Sequence, residues 1–257
     1  MTNLNASVKS RGVVVFALNT PTVNYERIAE QASRLIQHTL NLPVTVITET
    51  TNNQDNVRTG YLAGTAWYNL DRYHAYELSP YDETLLLDSD YLILDDSLLK
   101  ILDTVDDYRI VTNNQSPRQS LDGNMGVLSL NYVWATAIAF KKTPKTKKLF
   151  DLVGRVQRNY EYYRKLYHIR ERNFRNDYAF AIADNIINGY APSQGIPWTM
   201  LTLDKSVKKL EIKNNNIIVR EQESAHVIPK QSIHVMDKEY LQSASYIEFV
   251  DVICQTK

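Results

Sequence analysis

Glu83-Thr-Leu-Leu-Leu-Asp-Ser-Asp90 decides how this chain folds. Leu85, Leu86 and Leu87 form an apolar run too short for a helix, and such a run reads as a strand buried on both faces. It passes directly into Asp88-Ser89-Asp90. In an open α/β sheet, ligands bind beyond the carboxyl ends of the strands. Two carboxylates one residue apart at such an end are therefore aimed at the crevice. Hard divalent cations such as Mg²⁺ and Mn²⁺ prefer oxygen ligands and bridge protein carboxylates to substrate phosphates. The tripeptide is common, however, and in many chains it only ends a strand and starts a turn.

The segments around this stretch predict an α/β fold with a mixed, mainly parallel sheet flanked by helices. Residues 12–18, Gly-Val-Val-Val-Phe-Ala-Leu, read as a buried strand. Tyr25, Ile28, Ala29, Ala32, Leu35 and Ile36 recur at helical spacing, and the helix ends near Asn41-Leu-Pro43. Residues 44–47 follow as a strand. Strand, helix and strand at this spacing make a βαβ unit, which implies parallel pairing. Residues 48–60 read as a loop, part of 61–78 as a helix, 91–94 as a short strand and 97–102 as a helical turn. A strand over 108–112, a loop over 113–123 and a strand over 126–130 follow. Leu149, Leu152, Val153, Val156, Tyr160, Tyr163 and Tyr167 lie on one helical stripe. A second helix spans 177–188, and Asn188-Gly189 stops it. Residues 199–219 hold two strand-like stretches split by Asn214-Asn215-Asn216, and no internal repeat is visible. The expected organisation is one domain over 1–257, with a nucleotide-binding half at 12–132 and an acceptor half with a C-terminal extension at 133–257.

Bulk properties exclude several classes. The 257-residue chain can bury a real core, and its 44% hydrophobic content excludes a disordered protein. Its formal net charge is zero, so total charge names no partner. Cys254 is the only cysteine, which rules out an intrachain disulfide and fits a reducing, cytoplasmic setting. The polar first eleven residues carry no apolar leader, and no apolar run approaches a membrane span. Neither G-x-G-x-x-G nor a Walker A pattern occurs, which argues against dinucleotide-binding dehydrogenases and P-loop nucleotidases.

Residues 83–98, Glu-Thr-Leu-Leu-Leu-Asp-Ser-Asp-Tyr-Leu-Ile-Leu-Asp-Asp-Ser-Leu, resemble the DxD segment of GT-A glycosyltransferases, especially the glycogenin-like and galactosyltransferase-like family 8. The likeness extends loosely over residues 12–240. Arg72, sixteen residues before Asp88, resembles the family's donor-contacting cation. The opening strand followed by Asn24-Tyr25 resembles its first nucleotide-binding loop. Residues 122–131, from Asp122-Gly-Asn-Met-Gly onward, are similar to its "FNxGvlllN" strand, and Asn176-Asp177-Tyr178 to its "nDQ" segment. Ile233-His-Val-Met-Asp-Lys238 resembles its late metal-binding histidine and diphosphate-binding lysine. The chain departs from the pattern at Tyr178, where the family has Gln, and in a shorter His-to-Lys spacing.

The resemblance implies a metal-dependent transferase that moves a sugar from a nucleoside diphosphate sugar, UDP-sugar above all, to a hydroxyl. Asp88, Asp90 and His234 would hold Mn²⁺ or Mg²⁺, with His226 as a second histidine candidate. Asn19, Thr20, Asn24, Arg72, Ser89 and Lys238 would contact the donor. Asp177 and Asp122 are the acid or base candidates; each also reads as a structural residue, Asp177 at a helix start and Asp122 in a turn. Asp95 and Asp96, before Ser97, look like a helix cap.

Residues 141–175, beginning at Lys141 and ending at Arg175, carry twelve Lys and Arg against Asp151, Glu161 and Glu171. Tyr160, Tyr162, Tyr163 and Tyr167 are interleaved. This composition suits a nucleic-acid backbone and unstacked bases, although solvated helix faces look similar. It points to DNA carrying hydroxylated bases as an acceptor, as in virus-encoded transferases that glycosylate their genome. Two other readings remain: a nucleotidyltransferase, and a non-catalytic nucleic-acid-binding protein.

Overall fold

A computed structural model describes residues 9–48, 58–59, 66–67, 69–115, 124–125, 130–191, 193–203 and 206–255. In chain order, β1 (Arg11–Phe16), α1 (Tyr25–Leu40) and β2 (Val44–Ile47) form the opening βαβ unit. β3 (Glu83–Asp88), β4 (Tyr91–Leu92), α2 (Ser97–Thr104), β5 (Tyr108–Val111) and β6 (Asn114–Gln115) follow. β7 (Trp134–Lys141) leads into α3 (Pro144–Arg158), α4 (Tyr160–Leu166) and α5 (Asn176–Ile187). The last third comprises β8 (Met200–Leu203), β9 (Lys209–Lys213), β10 (Asn216–Arg220), β11 (Ala225–Pro229), β12 (Ile233–Val235), α6 (Lys238–Leu241) and α7 (Ala244–Gln255).

The central sheet has the order β2-β1-β3-β7-β5. β1 pairs in parallel with both β2 and β3, whereas β7 runs antiparallel to both β3 and β5. Four of its strands therefore point one way and β7 points the other, giving a mixed α/β sheet with helices on both faces. The period-2 alternation of strand side chains divides the core. Val14, Leu86, Ile138 and Phe140 face α3 and α5 on one side. Val13, Val15, Leu85, Leu87, Ala137 and Ala139 face α1 and α2 on the other. A second sheet, β4-β12-β8-β6, shares a third apolar cluster with α1 and α7. β9, β10 and β11 form an antiparallel meander. Its first turn is Asn214-Asn215, both at positive φ, which asparagine tolerates better than most residues.

Several local expectations change. β7 was not foreseen, although Trp134, Thr136, Ile138 and Phe140 alternate with alanines at the strand period. Asn114 and Gln115, expected in a loop, form an edge strand on β8. The stripe over 149–167 breaks at Asn159, whose Nδ2 donates to the Arg155 carbonyl at 2.9 Å and ends α3 there. Within 61–78, expected to be partly helical, Arg72–His74 and Ala75–Leu78 are helical and Ala66–Trp67 form a short strand; residues 61–65 and 68 lie outside the described residues.

One buried acid gives the fold a pH signature. Asp184 on α5 accepts from the Tyr108 hydroxyl at 3.0 Å and from Asn188 Nδ2 at 2.8 Å. Burial pushes its carboxyl up by more than these donors and Ser193 pull it down. The folded state therefore holds this proton more tightly than the unfolded chain does. Its stabilising contribution is full below the ordinary carboxylate value and is lost as pH rises through the raised folded value. Asp184→Asn is expected to flatten the stability–pH curve in that window. Urea midpoints across pH check this, and superimposable curves for variant and wild type would contradict it.

Candidate active site

The site begins where β1 and β3 end side by side, with Phe16 registered against Asp88. Asp88 closes β3, Ser89 and Asp90 make the turn, and β4 starts at Tyr91. β12 then docks antiparallel on β4 with His234 opposite Tyr91, and the Val235 N–H donates to the Asp90 carbonyl at 2.9 Å. This register brings together residues far apart in sequence. Asp88, Asp90 and His234 each offer one ligand atom, and the three atoms lie within 4.8 Å of one another. Two carboxylate oxygens and an imidazole nitrogen suit Mn²⁺ or Mg²⁺, with the nitrogen favouring Mn²⁺.

Two cations flank the acidic pair. Arg72 Nη1 donates to Asp88 Oδ1, and Lys238 Nζ donates to Asp90 Oδ2. Arg72 is only 5% exposed, and its Nε and Nη2 are buried without a hydrogen-bond partner. A guanidinium in that state has unused donors for an anion. Gln157 on α3 fixes its position, donating to Asp71 Oδ1 at 2.7 Å and accepting from the Asp71 N–H at 2.9 Å. Lys238 opens α6, one residue after Asp237, which caps that helix by accepting from the Tyr240 N–H at 3.0 Å.

The two aspartates are electrostatically distinct. Burial pushes the Asp88 carboxyl up, and Arg72 opposes this only in part. Asp90 is also desolvated, but Lys238 and His234 outweigh that and hold it well below the usual carboxylate range. Behind the histidine runs a buried relay. The Thr202 hydroxyl donates to Asn114 Oδ1 at 2.7 Å, so at 3.3 Å from His234 Nδ1 it accepts. With a cation in the site, Nδ1 would carry the ring proton and Nε2, 3.4 Å from Asp90 Oδ2, would present its lone pair to that cation.

These groups line a cleft of about 380 Å³ with Tyr25, Asn69, Trp134, Asn173, Phe174, Arg175, Asn176 and Asp177. Ser89 lies in a smaller adjoining recess with Phe16 and Leu18. Tyr25 was named with Asn24 in the resemblance to a nucleotide-binding loop, but not as a contact residue itself. Burial, Asp90 and Asp88 push its hydroxyl up to about 12, so it stays protonated at neutral pH. Trp134 was missed together with its strand.

The other sequence candidates fall as follows. Asn24 caps α1, accepting from the Arg27 N–H at 3.0 Å, and Asn19 bonds Glu26 in the same turn. Thr20 accepts from the Val23 N–H at 3.1 Å. All three shape the loop that presents Tyr25, and none of them lines the cleft. Asp177 does line it, but both of its oxygens are engaged: Oδ1 accepts from the Ala135 N–H at 2.8 Å and Oδ2 from Arg175 Nη2 at 2.9 Å. Asp122 lies outside the described residues. His226 sits on β11 beside Glu221 and Ser224, not in the metal cluster. Asp95 precedes the N-cap Asp96 of α2 and accepts from the Ser97 N–H at 2.9 Å and from the Ser232 N–H at 2.6 Å, while Asp96 itself makes no side-chain capping bond. Among the described residues no helix is long and apolar enough to cross a membrane.

No protein-family model matches this chain, and no curated protein does either. Among solved structures, it is similar to the apo-form glycosyltransferase GlyE of Streptococcus pneumoniae TIGR4, with a TM-score of 0.37 and 16% identity over 69% of this chain and 43% of that one. A second GlyE structure matches with a TM-score of 0.36 and 15% identity, covering 66% and 46% of the two chains. The apo structure of the bifunctional glycosyltransferase WbbM matches with a TM-score of 0.35 and 15% identity, covering 59% and 36%. The match thus spans less than half the length of each of these proteins. Likeness at this distance assigns no residue a role.

Proposed function

We propose that this protein is a metal-dependent glycosyltransferase of the GT-A type, which moves a hexose or pentose from a UDP-sugar to a hydroxyl acceptor. The observation that carries this reading is the convergence of Asp88, Asp90 and His234 at a strand end, flanked by Arg72 and Lys238. A cation held by the first three would act as a Lewis acid toward the departing diphosphate. Arg72 offers two unused guanidinium nitrogens to the phosphates, and Lys238 adds a positive charge on the other side of the acidic pair. The buried floor around Ser89 and Asp90 excludes water, which strengthens each of these interactions. Catalysis rests mainly on positioning and on charge stabilisation of the leaving group.

Asp177 holds the start of β7 against α5 and so positions the acceptor wall. Residues 12–132 form the donor half, and 133–257 supply the acceptor wall together with His234 and Lys238, which complete the donor site. The acceptor hydroxyl belongs to a hydroxylated base in DNA, an acceptor that fits a virus-encoded enzyme working in the cytoplasm. The family 8 resemblance supports the UDP donor, and the basic 141–175 segment supports the DNA acceptor.

Release of UDP, GDP, ADP or CMP from the corresponding nucleotide-sugars with Mn²⁺ tests this reading. Turnover of one donor is expected. Pyrophosphate release from a nucleoside triphosphate and a sugar phosphate, with no sugar-nucleotide turnover, would make the protein a nucleotidyltransferase instead.

The Thr202 relay gives a further expected result. Thr202→Val removes the acceptor for His234 Nδ1–H and should weaken Mn²⁺ binding about 10- to 100-fold. Titration of Mn²⁺ followed by electron paramagnetic resonance measures this, and unchanged affinity would show that the relay does not orient the histidine.

A further inference from the structure

We propose that a single-stranded stretch of nucleic acid lies along a track of tyrosines and unpaired arginines running from α3 and α4 to the rim of the cleft. This inference rests on the glycosyl-transfer reading of the cleft and identifies how its acceptor is held.

The apolar stripe of α3 packs inward, with Leu149, Val153 and Val156 in the core. The next elements leave large side chains outside: Tyr162 is 64% exposed, Tyr190 56% and Leu166 47%. The exposed tyrosines belong to a connected set of rings. Tyr162 meets Tyr163 edge to face at 5.3 Å, and Tyr163 is stacked with Tyr167 at 6.5 Å with 5° between the planes. The Tyr167 hydroxyl bonds that of Tyr190 at 2.8 Å. The inner rings hold the outer ones in place, so the exposed faces are presented with little rotamer freedom left to lose.

Away from the track, some surface charges are paired. Lys147 lies between Glu77 and Asp151, and Glu211 pairs with both Lys209 and Arg220. On the track, Glu161 takes Arg164 and Lys165, and Asp177 takes Arg175. Arg155, Arg158, Arg170 and Arg172 are exposed and form no ion pair among the described residues. The chain is neutral as a whole, so this is local segregation of charge rather than general basicity.

The track also reaches the chemistry. Arg158 sits 5.6 Å from the Tyr73 ring, next to Arg72, and Phe174 packs edge to face on Tyr160 at 5.4 Å. Asn173, Phe174 and Arg175 then line the cleft itself. Cations for phosphates and open ring faces for unstacked bases are the two features that single-strand binding requires. The track supplies both and ends where a hydroxyl would be modified.

Fluorescence anisotropy of a labelled oligothymidylate of about 15 nucleotides tests the proposal on the full chain. Wild type is expected to bind, with affinity falling steeply between about 50 and 200 mM salt. The triple variant Arg158→Gln/Arg170→Gln/Arg172→Gln should bind at least about tenfold more weakly, with a log–log salt slope shallower by about 2. Tyr162→Ala should cost about another tenfold. Both variants should keep the wild-type melting temperature, Mn²⁺ affinity and donor hydrolysis. Those three readouts separate failure of this proposal from failure of the transferase reading. The proposal is overturned if wild type does not bind at the lower salt, if the triple variant binds as wild type does, or if Tyr162→Ala leaves affinity unchanged.

Discussion

Asp90→Asn is expected to lower nucleotide-sugar turnover by about a thousandfold or more, with the fold intact. The substitution preserves shape and removes one charge. Asp90 is 8% exposed and has Lys238 and His234 as its close partners. Their attraction holds it ionised despite burial, so it is the more reliable anion of the pair. Asp88 is pushed the other way by burial and leans on Arg72. Removing the Asp90 charge would leave a bound cation with one carboxylate and one imidazole, and leaves the Lys238 ammonium without its counter-ion. Loss of electrostatic stabilisation at a preorganised site of this kind costs about two to three orders of magnitude per group, and here two groups are disturbed together. Steady-state donor hydrolysis measures the effect, with circular dichroism to confirm folding. Activity within tenfold of wild type would remove Asp90 from the mechanism.

Phe150→Ala is expected to destabilise the protein by about 3–5 kcal/mol without changing the site's chemistry. Phe150 is 1% exposed. Its ring meets Phe140 at 5.0 Å, Phe180 at 5.6 Å and Tyr76 at 6.2 Å, so it joins β7, α5 and the helix after Arg72 to α3. Truncation opens a cavity among rigid rings that cannot collapse into it, which places the cost toward the upper end of the range. α3 also carries Gln157, the clamp on Asp71 that sets Arg72. Above the melting transition, donor binding and fold should therefore be lost together. Urea denaturation provides the check, and a cost below about 1.5 kcal/mol would mean that this cluster is not the mechanical centre of the fold.

The opening βαβ unit and β3 were legible because their signals are local. Val13 to Val15 and Leu85 to Leu87 are runs that only doubly covered strands carry. β7 was overlooked although Trp134, Thr136, Ile138 and Phe140 alternate with alanines at period 2, a strand signal masked by the small residues between them. Missing it also hid Trp134 and the antiparallel half of the sheet. The break at Asn159 was hidden for a related reason: the apolar stripe continues through Tyr160 and Tyr163, and only the side-chain bond to Arg155 marks the end of α3.

Within the site, Asp88 and Asp90 could be read from the strand end alone. His234, Lys238 and Arg72 came from the family resemblance, and the register of β12 on β4 is what brings His234 to Asp90. The Thr202–Asn114 relay depends on long-range packing, for which one sequence carries no signal. Residues 19, 20 and 24 make capping and turn bonds in this structure, and capping and ligand binding draw on the same residue types.

The most direct test of the central claim is calorimetric titration of UDP into the protein, with and without Mn²⁺, for wild type and for Asp88→Asn/Asp90→Asn. If Asp88, Asp90 and His234 hold the cation that receives the diphosphate, UDP binds wild type tightly only with Mn²⁺, and the double variant loses that binding. UDP binding of equal strength with and without the metal, or retained in the double variant, would contradict the account.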